Sequence, residues 1–152
     1  MVWVTYLQTG QFFSPAFSDA DPSNTNTYGG FPDRICNGNL LPGQRTVERW
    51  FGTSCFVDPP MGRFGNSGVN VLEGPGLHVH NVTFFKRFRL TEKLHFDYMA
   101  LIGNIFNHPN LLFPATDISV PGEAGVISET HGLYSGERAG PRSIEMRLRI
   151  EF

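Results

Sequence analysis

The sequence predicts an all-β fold, an antiparallel meander of about four amphipathic strands with two long loops. Apolar and polar residues alternate over four segments, residues 1–9, 77–90, 94–107 and 141–152, which is the pattern of half-buried strands. The intervening residues, 10–76 and 108–140, are rich in glycine, proline and other turn formers, and they predict loops. No segment reaches the about 18 uninterrupted apolar residues of a transmembrane helix.

Different sequence features predict the first three strands. Met1–Thr9 is rich in aromatic and β-branched residues, which favour a strand. Residues 77–90 and 94–107 alternate on either side of the short polar segment Thr91-Glu92-Lys93, so they predict an antiparallel hairpin. The sequence opens in mid-strand, which suggests a piece of a longer protein, although a short natural protein can also begin in a strand.

The closing strand, residues 143–152, alternates without exception. One face carries Ile144, Met146, Leu148, Ile150 and Phe152. The other face carries Ser143, Glu145, Arg147, Arg149 and Glu151. Such a strand fits the wall of a transmembrane barrel, which has lipid on one side and water on the other. It also fits the edge of a soluble sheet.

The lengths of the three connections favour the barrel. They are long, short and long, so both long loops lie at one end of the predicted sheet and the short turn lies at the other. Outer-membrane barrels have short periplasmic turns and long extracellular loops, whereas a soluble sandwich has no reason to separate its loops by length. We therefore expect part of a transmembrane β-barrel in the bacterial outer membrane, with outer-membrane lipid against its apolar face and its loops at the cell surface.

Two sets of side chains are expected to mark the two faces of the sheet. Cross-strand ion pairs on the lumen face are predicted from Arg87, Arg89, Glu145, Arg147, Arg149 and Glu151. Aromatic girdles at the membrane interfaces are predicted from Trp3, Tyr6, Phe84, Phe88, Tyr98, Phe106 and Phe152. The core of a soluble sandwich would use the same aromatic residues.

Several motifs resemble, in order along the chain, the late portion of TonB-dependent outer-membrane receptors. They are residues 7–13 (LQTGQFF), 43–51 (GQRTVERWF), 56–60 (FVDPP), 62–68 (GRFGNSG), 70–76 (NVLEGPG), 84–92 (FFKRFRLTE) and 104–110 (NIFNHPN). The type that they resemble is the Oar-like group, whose members carry an amino-terminal carboxypeptidase-regulatory-like domain. Each motif is weak alone, and the set is specific because it covers nearly the whole chain.

The resemblance implies a role in transport. Such receptors bind a scarce extracellular ligand with their loops and move it through the barrel, with energy from a partner complex in the inner membrane. This chain would supply roughly the last four strands of a barrel of about 22, so the plug and the energy-coupling segments would lie upstream. Met99 and Leu101 depart from the family pattern, which usually has charged, lumen-facing residues at these positions.

The resemblance also implies a carboxy-terminal assembly signal. It would consist of Ile144, Met146, Leu148, Ile150 and Phe152, read by the outer-membrane assembly machinery.

The two cysteines, Cys36 and Cys55, both lie in the first long loop. In an oxidising compartment they would pair and close a loop of about 20 residues, and in a reducing cytosol they would be free thiols. The expected membrane location favours the disulfide.

No motif predicts catalysis or a cofactor, so we expect that the protein is not an enzyme. His78 and His80 share one face of a predicted strand and could form a metal pair, with His131 or Glu129 as a third ligand. We favour instead polar residues near the extracellular rim, and predict no metal site. Basic and acidic residues number 12 and 14, and this near balance gives no reason to expect a nucleic-acid partner.

A second hypothesis is a self-associating structural β protein. The edge strands at Met1–Thr9 and residues 143–152 could pair between copies of the chain rather than with the remainder of a barrel. The product would be a ring, tube or fibre, and its location an extracellular assembly. A soluble binding sandwich is a third hypothesis, which the one-sided loop lengths disfavour.

Overall fold

The computed structural model describes residues 1–133 and 135–152, which form two compact units. The sheet unit comprises Met1–Thr9, Gly76–Leu111 and Thr130–Phe152, and the loop unit comprises Gly10–Pro75 and Leu112–Glu129. The described strands are β1 (Val2–Gln8), β2 (Phe12–Phe13), β3 (Asp33–Arg34), β4 (Phe56–Val57), β5 (Leu72–Glu73), β6 (Leu77–Arg89), β7 (His95–Gly103) and β8 (Ser143–Glu151). Short 3-10 helices span Pro42–Gln44, Thr53–Cys55 and Gly136–Arg138. No helix among the described residues is long and apolar enough to cross a membrane.

The sheet unit contains a single four-stranded antiparallel sheet, with strands in the order β1-β6-β7-β8. Each strand pairs with the next in this order, so the sheet is the antiparallel meander that the alternating pattern predicts. Strands β1, β6 and β8 begin and end within two residues of the expected bounds. The predicted bounds of these three strands are accurate because the alternation of polar and apolar residues stops where the strand stops.

Strand β7 is shorter than expected, since it ends at Gly103 and the alternation continues to residue 107. Asn104 has a φ of 47°, in the left-handed region that a strand does not use. Its buried Nδ2 donates to the carbonyl oxygens of His108 and Gly140 at 2.8 Å, and its Oδ1 accepts from the His108 N–H at 3.0 Å. A buried amide thus ends the strand in a turn.

The register aligns side chains in rows across the whole sheet. One row consists of Trp3, Val82, Ile102 and Ile144. The neighbouring row consists of Val2, Thr83, Leu101 and Glu145. Residues directly opposite one another in antiparallel strands point to the same side, so these rows lie on opposite faces of the sheet.

The loop unit is ordered, although its sequence has no regular period. Two small sheets, β2 with β5 and β3 with β4, surround a core of Phe13, Phe51, Phe56 and Leu72. The Phe51 ring lies 5.8 Å from the Phe13 ring and 6.0 Å from the Phe56 ring, both edge to face. Such aromatic pairs bury much surface in a small volume, and here they provide the core that two-residue strands do not.

Segments from both long loops are joined within this unit by backbone hydrogen bonds. The Trp50 N–H donates to the Gly125 carbonyl at 2.8 Å, and the Ile127 N–H donates to the Val47 carbonyl at 2.7 Å. The Ala16 N–H donates to the Thr116 carbonyl at 3.0 Å. Residues 112–129 therefore belong to the fold of the first loop.

A disulfide joins Cys36 and Cys55, as the sequence predicts, with 4.9 Å between their Cα atoms. Cys36 follows β3 by two residues, and Cys55 immediately precedes β4. The covalent bond therefore braces a ladder of only two residue pairs.

An ion pair also fixes Asp33, a residue of the same ladder. Both guanidinium Nη atoms of Arg63 donate to the carboxylate of Asp33, at 2.9 Å for the Nη1–Oδ1 pair, and the Asn66 N–H donates to Asp33 Oδ1 at 3.1 Å. Asp33 is buried. The hydrogen bond from Arg63 is the main reason that the pKa of Asp33 lies below its usual range.

We expect Cys55→Ser to destabilise the loop unit by roughly 3 kcal/mol. The disulfide joins residues 19 positions apart in sequence, and it lowers the entropy of the unfolded chain by closing that loop. The measurement is the rate of limited proteolysis within residues 10–75 of the folded protein. Ser54→Ala, at the exposed neighbouring position, keeps the disulfide and is the matched control. Unchanged resistance to protease in Cys55→Ser would contradict the brace.

The loop unit should also lose stability in acid. A carboxyl group whose pKa is lower in the folded state contributes stability above its unfolded value, about 3.9, and this stability is lost as the pH falls through the folded value. Asp33→Asn should therefore lower the stability of the loop unit at about pH 6. The variant should then lose less stability than the wild type when the pH falls below about 4. Proteolysis by an acid-active protease measures both. Asp58→Asn removes an exposed carboxylate of the same unit and should leave the acid profile unchanged.

Candidate functional site

The sheet exposes an apolar face that extends over all four strands. Its large exposed apolar side chains are Trp3, Leu7, Phe84, Phe88, Ile144, Met146, Leu148 and Ile150. On β8, Met146 is 67% exposed and Leu148 is 65% exposed. Soluble monomers rarely expose a contiguous apolar surface of this extent. This face therefore requires an apolar environment or partner.

Aromatic side chains cluster at both ends of the apolar face. At the loop end, where β1 leads to Gly10, the Trp3 and Phe106 rings lie 5.9 Å and 5.0 Å from the His80 ring. At the turn end, where β6 leads to Thr91, Phe88 lies 5.9 Å from Phe96. His80 and Phe88 are about 27 Å apart along a strand with a rise of about 3.4 Å per residue. Aromatic girdles of outer-membrane barrels flank an apolar band of about 25 Å.

The other predicted girdle residues lie elsewhere. Tyr6 is directly opposite Val79 and so lies on the other face of the sheet, which corrects its expected place. Phe84 and Tyr98 lie on the apolar face between the two clusters. Lys86 shares this face, and its ammonium nitrogen lies 4.9 Å above the Phe88 ring, towards the turn end.

The opposite face carries a ladder of ion pairs at its turn end. Arg87 lies directly opposite Asp97, and its Nε and Nη2 atoms each donate to the carboxylate at 2.6 Å. Asp97 is in turn directly opposite Arg149, whose Nη2 lies 2.8 Å from Glu151. Glu151 also approaches Arg87, at 3.7 Å. Arg87, Arg149 and Glu151 were predicted to pair, whereas Asp97 was missed, although the hairpin register would have placed it beside Arg87.

A second group of charges on this face lies nearer the loop end. Glu145 accepts from Arg138 at 2.7 Å and from Arg147 at 3.4 Å. Arg138 was not predicted, because it lies in a 3-10 helix outside the alternating segments. Met99 is directly opposite Arg147 and Leu101 is directly opposite Glu145, so both apolar residues lie on the charged face.

Two buried asparagines fix the backbone at the loop end of the sheet unit. Asn110 Oδ1 accepts from the His78 N–H at 2.8 Å, and its Nδ2 donates to the Ala139 carbonyl at 2.8 Å. Asn104 makes the equivalent link to Gly140. No sequence pattern predicts these bonds, because donors and acceptors lie about 30 residues apart in sequence.

The histidines on β6 lie close together. The Nε2 atoms of His78 and His80 are 2.8 Å apart, and the His78 ring lies 5.2 Å from the His108 ring. His131 lines a cavity of 230 Å³ together with His108, and Glu129 belongs to the loop unit. Within residues 1–133 and 135–152, no group of three or more His, Cys, Asp or Glu side chains has a metal-binding arrangement.

Comparison with known families decides the environment of the apolar face. Residues 2–144 match the family described as outer membrane beta barrel domain. The chain belongs to the outer membrane beta barrel family. No curated protein and no solved structure matches it.

Membership of the outer membrane beta barrel family assigns the two faces of the sheet. The protein lies in the bacterial outer membrane, as the sequence predicts, and its apolar face contacts membrane lipid. The charged face, with the Arg87–Asp97 pair, lines the inside of the barrel wall. The sheet is all antiparallel β and is not closed by its own four strands.

This assignment predicts that the same substitution destabilises the protein more on the lipid face than on the lumen face. Leu148→Arg places a charge on the lipid side and should cost up to about 2–4 kcal/mol, depending on its depth in the membrane. Leu101→Arg places the same charge on the lumen side, opposite Glu145, and should cost under about 1 kcal/mol. Urea unfolding of the protein in phospholipid vesicles measures both. Equal costs for the two variants would contradict the assignment.

Proposed function

We propose that the chain forms the late wall strands and two surface loops of a TonB-dependent receptor. The support from the sequence is the ordered series of motifs that resembles such receptors. The support from the structure is a lipid-facing sheet whose long connections all lie at one end. Outer-membrane barrels place long loops outside the cell and short turns in the periplasm, so the loop unit is the extracellular part.

The observation that carries this proposal is the ordered loop unit. A loop that only connects two strands needs no disulfide, no aromatic core and no ion pair to a buried carboxylate, and this unit has all three. Long ordered loops in compact proteins are usually functional. A rigid loop unit suits capture of a ligand, because little ordering entropy is lost on binding.

The loop unit also offers a place for such a ligand. A cavity of 190 Å³ has an uncharged lining that includes the rings of Phe17, Phe31 and Phe64. Tyr28, at 73%, and Phe64, at 70%, are strongly exposed aromatic side chains of the same unit. Concave aromatic surfaces with few polar groups are typical of small-molecule sites.

The closing strand supports the second part of the proposal, an assembly signal. Its alternate residues Ile144, Met146, Leu148 and Ile150 share the lipid face, and Phe152 beyond them is fully exposed. We propose that the outer-membrane assembly machinery reads this apolar edge.

A specific observation also favours the alternative, a self-associating structural β protein. Strands β1 and β8 are the two edges of the sheet, and all seven residues of β1 are exposed. Each edge can pair with a strand of another copy, which would build a ring, tube or fibre instead of one large barrel.

The experiment that separates the two uses an epitope tag between Met61 and Gly62 in the chromosomal gene. Met61 is 76% exposed, so a tag inserted beside it is accessible at the protein surface. Antibody should bind the tag on intact cells. The matched control is the same tag at Thr91, in the short turn, which antibody should reach only after the outer membrane is permeabilised.

The mass of the tagged polypeptide then tests the receptor. If the protein is a receptor, the tagged polypeptide should be several times longer than 152 residues. It should also cross-link in living cells to the energy-transducing partner of the inner membrane. A large polypeptide that never cross-links would be consistent with a barrel but would refute energised transport. A short polypeptide in a high-mass complex of identical copies would establish self-association. A monodisperse monomer in detergent-free buffer would contradict both functions.

A further inference from the structure

Four of the five histidines of the chain gather at the loop end of the sheet unit. His78 and His80 lie on β6, while His108 and His131 lie on the connections beside it. The His78 ring is 4.8 Å from the His80 ring and 5.2 Å from the His108 ring.

The geometry of His78 and His80 fits a chelating pair. They are two residues apart on one strand and therefore point to the same side. Their Nε2 atoms are 2.8 Å apart. Two metal–nitrogen bonds of about 2.05 Å that end on these atoms would enclose an angle of about 86°. That angle suits the square-planar or tetragonal preference of Cu²⁺ and Ni²⁺ better than a tetrahedral site.

A second pair of side chains orients the His80 ring. Thr5, directly opposite His80 on β1, has its Oγ1 2.9 Å from His80 Nδ1. The indole Nε1 of Trp3 donates to the same Oγ1 at 3.0 Å. In the tautomer of His80 that carries its proton on Nδ1, this N–H donates to Thr5 and the Nε2 lone pair faces His78. Metal-binding histidines are usually held in this way by a polar partner on the other ring nitrogen.

We propose that His78 and His80 bind a divalent transition-metal ion, Cu²⁺ foremost, at the outer rim of the lipid-facing surface. Water completes the coordination, and His108 is the nearest further imidazole. Hard cations such as Ca²⁺ and Mg²⁺ are excluded, because they prefer oxygen ligands. Thr5 is a positioning residue. The site depends on the sheet alone, so it does not require that the protein is a receptor.

The test is titration of the protein with CuCl₂, after its purification from the outer membrane in detergent and in its assembled form, followed by calorimetry and electron paramagnetic resonance. We expect one Cu²⁺ per chain with hyperfine coupling to two nitrogens, and binding that weakens in the order Cu²⁺, Ni²⁺, Zn²⁺. His78→Asn and His80→Asn should each weaken Cu²⁺ binding more than about tenfold. Thr5→Val should weaken it about tenfold and leave the two-nitrogen signature in place.

Two controls keep the result decisive. His95→Asn removes the fifth histidine, at the turn end, and should leave Cu²⁺ affinity unchanged. Wild-type protein unfolded in urea should bind at least about tenfold more weakly, because the paired geometry depends on the strand. Equal binding by the folded and the unfolded chain, or by His78→Asn/His80→Asn and the wild type, would overturn the proposal. Either result would leave the two histidines as a hydrogen-bonded pair only.

Discussion

The register of the four long strands is the constraint on which the rest of the molecule depends. Because side chains alternate along a strand, a slip of one residue between β7 and β8 would turn Arg147 to the lipid and Leu148 to the lumen. The Arg87–Asp97 pair opposes a slip between β6 and β7, since the two residues are directly opposite and joined by two hydrogen bonds. Arg87 is 48% exposed, so the pair adds little net stability, and its two directed hydrogen bonds act mainly on the register.

The loop unit solves a different problem, because it has no long strand to specify its conformation. Its four strands have two residues each, so backbone pairing contributes little. The disulfide, the buried aromatic core and the Asp33–Arg63 pair replace it, and each links segments about 20 residues or more apart in sequence. This explains how more than sixty residues without a period can hold one conformation. It also means that the unit and the sheet are stabilised by unrelated interactions.

The sequence predicts those parts of the structure that depend on local periodicity or on pairs of rare residues. Alternation locates the long strands, since each has a different environment on its two sides, and the only two cysteines identify the disulfide. The predicted end of β7 was wrong, because the alternation continues past Asn104 and the hydrogen-bond partners of the Asn104 amide are distant in sequence. Asp97 was overlooked because its role appears only when β6 and β7 are placed in register. The pairing inside the loop unit has no periodic signal at all.

The two edges of the sheet limit what the protein can do alone. In the hydrocarbon region an unpaired backbone N–H or C=O costs several kcal/mol, so neither β1 nor β8 can face lipid with its outer edge bare. Both proposed functions therefore share one requirement, a strand from elsewhere at each edge, and differ only in whether that strand belongs to the same polypeptide. The charged face decides against a third arrangement, two such sheets packed on their polar faces as a dry sandwich. The Arg87, Asp97, Arg149 and Glu151 cluster is only partly buried, and removing it fully from water would cost more than the ion pairs return.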